Sequence, residues 1–495
     1  MATRFARRRD SSCGRTLDGP AGLSADLEPR PSPCRTTTAA ARAVPVTTPL
    51  GAGRRPRRHR RVRHPYRILR VPRAHCHTTP QPCPRSSPSP HTVEIPLHVY
   101  RSFKATAAAC SLLLITGCGL FEDTKESSSS GFNPPNLTAQ SRLGATEGRV
   151  NLVSWAGYVE DGTTDPGVDW VSAFEKQTGC QVNNKVAASS DEMVSLMKTG
   201  DYDAVSASGD ASLRLIGSGE AAPVNTSLVP NYKDVFFGLK RQTWNSYDGT
   251  AYGIPHGRGA NLLMYNTEEV SPAPVSWSAV FDDAPEHKGK VTAYDSPIYI
   301  ADAALYLSAT RPGLRIRNPY ALDQQQFTMA VNLLKKQRGN IGEYWNDYLK
   351  EVAAFKSGDS VVGTTWQVIA SLAKSEGAKI KAVLPVEGAT GWSDTWMLSA
   401  KAKHPNCAYK WMNWIISPKV NAQVAEYFGE APANIHSCFE TSDPTFCDTY
   451  HATDEAYWKD VKFWTTPIEQ CLDGRTAVKC VPYSEWVQAW TEIKG

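Results

Sequence analysis

Nine side chains of this sequence could do recognition chemistry, and they fall at strand ends rather than along helices. Trp155 and Tyr158 follow the first strand; Ser208 and Asp210 follow the third. Asp295 follows a strand at 291–294, and Trp366 and Gln367 follow one at 361–365. Trp392 and Asp394 precede the last main strand. In open α/β sheets, ligands bind outside the carboxyl ends of the strands. Indoles and phenols beside separate carboxylates suit an organic cation. Each ring face attracts an ammonium by about 0.5–2 kcal/mol when water is excluded. A carboxylate neutralises the charge, and methylene groups lie along the rings. Plainer roles compete: Trp155 and Trp392 as core aromatics, Asp210 and Asp295 as helix caps, Arg258 paired internally with an acid. The clustering of all these residues at strand ends favours a shared site.

The elements that must position them alternate. Strands are expected at 149–155, 181–187, 202–207, 291–294, 361–365, 380–384 and 395–399. Helices are expected at 169–178, 190–198, from the end of Ser208-Gly209-Asp210-Ala211-Ser212 to about 216, at 298–307 after Asp295-Ser296-Pro297, and at 325–337, 344–356, 368–374, 407–416 and 419–428. Ser190 and Gly179 supply start and stop signals. Such alternation builds a mostly parallel α/β sheet. Two short strands, 252–255 and 261–266, are expected to be joined by His256-Gly257-Arg258-Gly259, the glycines freeing the backbone to turn. The tail from Ala433 is expected to be loop-rich.

Upstream, Arg101 to Cys118 reads RSFKATAAACSLLLITGC. Two cations, a short apolar run and a small-residue end make a secretory signal, too short to span a bilayer. A Cys directly after the small residue is the bacterial lipobox pattern, which implies lipidation of Cys118 and anchoring by acyl chains. Residues 119–148 are polar and rich in Gly, Ser and Pro, a linker between lipid and globule. The net charge of +5 hides two unlike parts. Residues 1–98 are rich in Arg and Pro without apolar periodicity, so disorder is expected. A signal lying a hundred residues in points to a misplaced start, with translation beginning near Val99. The remainder is mildly acidic and gives no reason to expect nucleic-acid binding. It also carries every one of the 14 Trp. From Cys118 onward the length suggests about two domains.

Six further cysteines in an exported chain suggest disulfides. Cys438/Cys447 and Cys471/Cys480 are close neighbours and pair locally, leaving Cys180 with Cys407. The spacings lack the C-x₂-C or H-x₃-H units of a zinc site. No metal or cofactor is expected.

At these same residues the chain resembles the spermidine/putrescine-binding proteins of bacterial ABC importers. Ser154-Trp155-Ala156-Gly157-Tyr158-Val159 resembles the family's W-x-x-Y motif, whose Trp and Tyr line the amine site. Tyr202-Asp203 followed by Ser208 resembles a second motif, with Asp210 where the family has an aromatic. Asp295-Ser296 falls at a pair of family aspartates. Thr365-Trp366-Gln367 resembles a Trp-Asn segment. Glu387 through Asp394 matches E-G-x-x-x-W-x-D, whose Trp stacks on the alkyl chain and whose Asp takes an amino group. Glu430 falls where a ligand-contacting Tyr is expected; it could also be an ordinary surface acid.

The resemblance implies an α/β, two-lobed type II periplasmic-binding-protein fold with a hinge and an interlobe cleft. Lobe one would hold 149–257 and 390–440, and lobe two 258–389, with 441–495 as a disulfide-containing tail. It implies a monomeric, lipid-anchored extracytoplasmic protein that delivers a polyamine to an ABC permease. Arg258 near the hinge raises the alternative of a carboxylate-bearing, amino-acid-like or γ-aminobutyrate-like ligand; thiamine and organophosphonate are further possibilities for the same fold. Ferric ion would want paired Tyr or His ligands that the strand ends do not offer. A secreted glycoside hydrolase is the rival from another class, since Trp and paired acids also make sugar sites. No motif fixes two carboxylates together, and no G-x-S-x-G is present, so no enzyme activity is expected.

Overall fold

The computed structural model describes residues 132–282 and 285–495. The Arg/Pro-rich segment 1–98, the signal 99–118 with Cys118, and linker residues 119–131 lie outside the described residues.

The chain builds two sheets of like design. In the first, Arg149–Ser154 runs parallel to Gln181–Val186 and to Ala204–Ala207. Thr395–Ser399 lies antiparallel beside Ala204–Ala207 and also pairs Ala221–Ala222 and Gly253–Pro255. In the second, Val291–Tyr294 runs parallel to Ile341–Trp345 and Val362–Thr365. Leu262–Asn266 lies antiparallel between Val362–Thr365 and Ile380–Val383. Each sheet thus receives one antiparallel strand from the other half of the chain. Helices cover both: Val171–Thr178 buries Val171 and Phe174 and stops at Gly179 in the left-handed region, as the sequence predicts. Helix Ile300–Thr310 is buried along its first eight residues in the second lobe.

A third, smaller sheet joins the halves. Gly257–Ala260 pairs antiparallel with Ala389–Trp392 and with Ala431–Pro432, and Val461–Phe463 runs parallel to Ala389–Trp392. The chain leaves the first sheet through 253–266 and returns through 380–399, giving the hinge of the expected two-lobed fold.

Four local expectations change. Gly257–Ala260 is a strand, not a turn. Its glycines serve close approach: a Cβ on Gly257 would sit 2.2 Å from the Glu430 carboxyl carbon, and one on Gly259 would sit 2.4 Å from the Trp392 ring. Residues 341–345 form a strand, and the helix begins only at Tyr348, after Asp347 accepts a hydrogen bond from the Leu349 N–H at 3.0 Å. The tail is not merely loops. Helix Tyr483–Lys494 inserts Trp486, Trp490 and Ile493 into the second lobe's core, with Trp486 5.7 Å from Phe327. Finally, linker residues from 132 on dock against the first lobe. The Phe132 ring lies 4.8 Å from Tyr247, and Glu147 accepts from the backbone N–H groups of Asn406 and Cys407, both at 3.0 Å.

All three disulfides form: Cys180–Cys407, Cys438–Cys447 and Cys471–Cys480. The first ties helix Val171–Thr178 to helix Pro405–Ile415 across the first lobe. Arg258 is buried and internal. Its guanidinium lies between Trp458 at 4.3 Å and Phe236 at 5.1 Å, and it donates to Ala452 O at 2.9 Å and Glu455 at 3.3 Å. It fastens the tail to the hinge strand.

Candidate functional site

The strand ends of the first lobe bring acids and hydroxyls together. Asp394, just before Thr395–Ser399, is buried. Its Oδ1 accepts from Ser208 Oγ at 2.5 Å and its Oδ2 from Tyr158 Oη at 2.8 Å. Tyr158 Oη also lies 3.0 Å from Glu430 Oε2. A phenol has one hydrogen to give. If it goes to Asp394, the Glu430 contact needs a proton on the Glu430 carboxyl. Electrostatics agree. Burial, then the Asp394 charge, pushes the Glu430 carboxyl well above the usual carboxylate range. Burial raises Asp394 to about 7, with the Ser208 and Tyr158 hydrogen bonds opposing it. Both carboxyls of the pair are therefore pushed toward their protonated forms.

His256 completes this corner. Burial depresses its pKa to about 3, so the ring is neutral. Trp396 Nε1 points at its Nδ1 at 3.2 Å. An indole only donates, so the imidazole hydrogen sits on Nε2, which faces Glu430 Oε1 at 3.3 Å. Glu430 is no surface acid: it is 1 % exposed.

From the second lobe and the hinge comes an aromatic wall. Trp366 lies 6.0 Å from Trp392, 5.4 Å from Tyr294 and 5.0 Å from Trp345. Trp392 meets Phe428 at 5.7 Å, and Phe428 meets Tyr158 at 4.5 Å. Rings thus run unbroken from Trp366 to the Asp394 corner. Tyr294 marks the convergence of charge: its phenol is raised by burial first, then by Asp210, Asp394, Asp295 and Asp302. Trp155 packs between the two first-lobe cores, its backbone N–H donating to Ser206 Oγ at 3.3 Å.

Three predicted residues are otherwise engaged. Asp295 Oδ1 accepts from Lys494 Nζ at 2.8 Å and Trp490 Nε1 at 3.0 Å, both on the C-terminal helix. Asp210 accepts from Ser190 Oγ at 2.9 Å and from Tyr483 Oη at 3.4 Å, and burial raises its carboxyl. Gln367 Nε2 donates along its own helix to Ser371 Oγ at 3.2 Å. Neither acid caps its helix; Ser208 and Ser296 stand at those positions.

Sequence reasoning missed Tyr294, Trp345, His256 and Trp464. Tyr294 and Trp345 end strands of the second sheet, the same signal that singled out their neighbours. Trp464 comes from the tail. Its ring stacks on Tyr294 at 5.5 Å, and its backbone N–H donates to Gly391 O at 2.7 Å. Its carbonyl oxygen would lie 1.7 Å from a Cβ at residue 209, so only glycine is accommodated there. Trp464 therefore touches the neighbours of Asp295, Trp392 and Ser208 at once. A cavity of about 20 Å³ lies beside Trp366 and Trp392, closed on its other side by Tyr450, Tyr457 and Trp458 of the tail.

Residues 169–443 match the profile of a family described as bacterial extracellular solute-binding protein. The spermidine/putrescine-binding periplasmic protein 1 of Haemophilus influenzae is 26% identical over 334 residues, covering 65% of this chain and 87% of that protein. A putrescine-binding periplasmic protein of Escherichia coli is 26% identical over 309 residues, covering 59% of this chain and 80% of that one. Among solved structures, the spermidine/putrescine substrate-binding protein of Streptococcus pneumoniae superposes with a TM-score of 0.54 at 19% identity, over 70% of this chain and 99% of that one. A lipoprotein of Treponema pallidum superposes with a TM-score of 0.56 at 18% identity over 70% of this chain. At such identities the structures bear on the fold alone.

Proposed function

The chain belongs to the bacterial extracellular solute-binding protein family, and on that premise we propose that it captures a polyamine of the putrescine/spermidine class between its lobes. It hands the ligand to an ABC permease, acts as a monomer and performs no chemistry on its cargo. Lipidation of Cys118 would hold it at the membrane. One observation carries the reading: the buried Asp394–Tyr158–Glu430 corner continuous with the Trp392–Trp366 wall. An ammonium group taken up at Asp394 replaces the carboxyl's proton. Ser208 and Tyr158 keep both carboxylate oxygens oriented, and the methylene chain lies against indole faces. The side chains now pack on one another, so entry requires the lobes to part about the hinge strands. Closure follows only if the ligand binds the closed form better, which contacts to Asp394 on one side and Trp366 on the other supply.

Calorimetric titration with putrescine, spermidine, γ-aminobutyrate and a sugar panel tests this. Saturable heat with a diamine, and none with sugars, is expected; no heat with any amine overturns it. A second reading has one observation behind it. The indole N–H groups of Trp155 and Trp392 are buried without an acceptor among the described residues, and a ligand bearing a carboxylate at its far end would satisfy them. Tighter binding of γ-aminobutyrate than of putrescine would favour that reading. Arg258 no longer argues for it, being engaged with the tail.

A further inference from the structure

Beneath Trp366 runs a line of side chains that ends in an acid with no assigned role. The Trp366 Nε1–H donates to Asn261 Oδ1 at 2.8 Å. Asn261 Nδ2 donates to Thr390 Oγ1 at 2.6 Å. Thr390 Oγ1 donates to Asp302 Oδ1 at 2.8 Å. The direction is fixed by chemistry. An indole nitrogen only donates, so the Asn261 amide must turn its oxygen toward Trp366 and its nitrogen toward Thr390. Thr390 has then accepted one bond and has a single hydrogen, which must go to Asp302. Every hydrogen in the row points the same way. Asn261, Thr390 and Asp302 are 3 %, 0 % and 1 % exposed, so water cannot substitute for a missing member.

The row also crosses the hinge. Asn261 sits where the outgoing crossover passes from Gly257–Ala260 to Leu262–Asn266, and Thr390 lies on the returning strand Ala389–Trp392. Their backbones are joined as well, Asn261 N–H to Thr390 O at 2.9 Å. Asp302 stands in the first turn of helix Ile300–Thr310, in the core of the second lobe. A terminal acceptor is needed at that point. Without one the Thr390 hydroxyl is free to rotate, the Asn261 amide loses its orientation, and the Trp366 ring loses its only polar restraint among the described residues.

We propose that Asp302 is a positioning residue for the ligand cleft: through Thr390 and Asn261 it sets the orientation of the Trp366 ring and ties it to both hinge strands. The ligand half of this rests on reading the cleft as the polyamine site; the ring-orientation half does not. The second oxygen of Asp302 has no partner among the described residues, so the row needs only Oδ1. A neutral amide at residue 302 keeps it.

The test uses the folded globular chain with its tryptophans labelled at the indole nitrogen. Trp366→Phe assigns the Trp366 signal. Thr390→Val, which keeps shape and removes the hydroxyl, should shift that signal and speed its hydrogen exchange without any ligand. Asp302→Leu should do the same, while Asp302→Asn should leave it in place. Thr390→Val should also weaken putrescine binding about fivefold, with no further loss when added to Trp366→Phe. An unmoved Trp366 signal in Thr390→Val overturns the proposal, as does full additivity of the two substitutions. Should Asp302→Leu fail to fold, Thr390→Val alone decides. If the wild-type chain binds no amine, the functional reading falls, and the indole signal still decides the relay.

Discussion

The two walls of the cleft are built from different chemistry. The first-lobe wall concentrates charge and hydroxyls: Asp394, Glu430, Tyr158 and Ser208 share hydrogen bonds within one buried corner. Opposite it stand Trp366, Tyr294 and Trp345, and the acid expected there, Asp295, is held by Lys494 and Trp490. On the proposed reading, one wall would supply electrostatic attraction and the other surface for stacking. A buried carboxylate is costly to leave unpaired, whereas a ring face against methylenes gains little per contact and loses little when altered. Substitutions on the charged wall should accordingly have larger effects on affinity than those on the aromatic wall.

The sharpest break is Asp394→Asn. Putrescine or spermidine affinity should fall at least tenfold, on the order of 1.4 kcal/mol, by calorimetry. Stability should move the other way. The Asp394 carboxyl is raised from 3.8 to about 7 in the fold, so the folded chain holds a proton that the unfolded chain has released. The associated stabilisation is present below pH 3.8 and is lost as pH rises to about 7. An Asn cannot ionise, so the ligand-free variant should unfold at a higher temperature than wild type at pH 8, with a smaller gain at pH 5. Unchanged affinity would remove Asp394 as the amine anchor.

The same group sets a pH profile. On the proposed reading the ligand ammonium pairs with the ionised form of Asp394, whose pKa is about 7. Affinity should be flat above pH 8 and about a hundredfold weaker at pH 5, since each unit below the pKa costs about tenfold. Of the facing groups, His256 titrates near 3, and Glu430 is pushed up by burial and by the Asp394 charge, so the two carboxyls titrate as a pair. Calorimetry at pH 5, 6, 7 and 8 checks it, and a flat profile would show that the amine docks elsewhere. On the aromatic wall, Trp464→Ala should cost about three- to tenfold. A loss equal to that of Asp394→Asn would erase the distinction between the walls.

Much of the first wall was legible because its residues follow regular strands whose apolar runs the sequence displays. Tyr158, Ser208 and Asp394 all follow or precede such strands, and the E-G-x-x-x-W-x-D spacing singled out Trp392 and Asp394. The hinge strand Gly257–Ala260 was not legible: glycines carry no side-chain pattern, and the reason for them lies in Glu430 and Trp392, distant in sequence. Residues 344–347 were merged into the following helix because the Asp347 cap went unrecognised. The C-terminal helix did carry a signal, with Tyr483, Trp486, Trp490 and Ile493 recurring on one face, although the cysteine-rich loops before it read as irregular. Asp295 shows a different limit. Its position at a strand end was right, but its partners, 195 and 199 residues later, decide its role.

Asp295 therefore gives the finest test of the asymmetry. Its side chain is 18 % exposed and pairs with Lys494 at 2.8 Å. A partly solvated pair of this kind contributes about 0–1 kcal/mol. Its charge is already balanced, and the Trp490 indole occupies the same oxygen. A second ammonium arriving from the ligand would have to displace Lys494 and gain only the difference between two cations. Asp295→Asn should thus change putrescine affinity by less than about twofold. Lys494→Met should improve it slightly, by freeing the carboxylate for the distal amine. If Asp295→Asn instead costs tenfold or more, Lys494 yields to the ligand on binding, and the second wall holds an anchoring charge that the ligand-free structure keeps occupied with its own C-terminal helix.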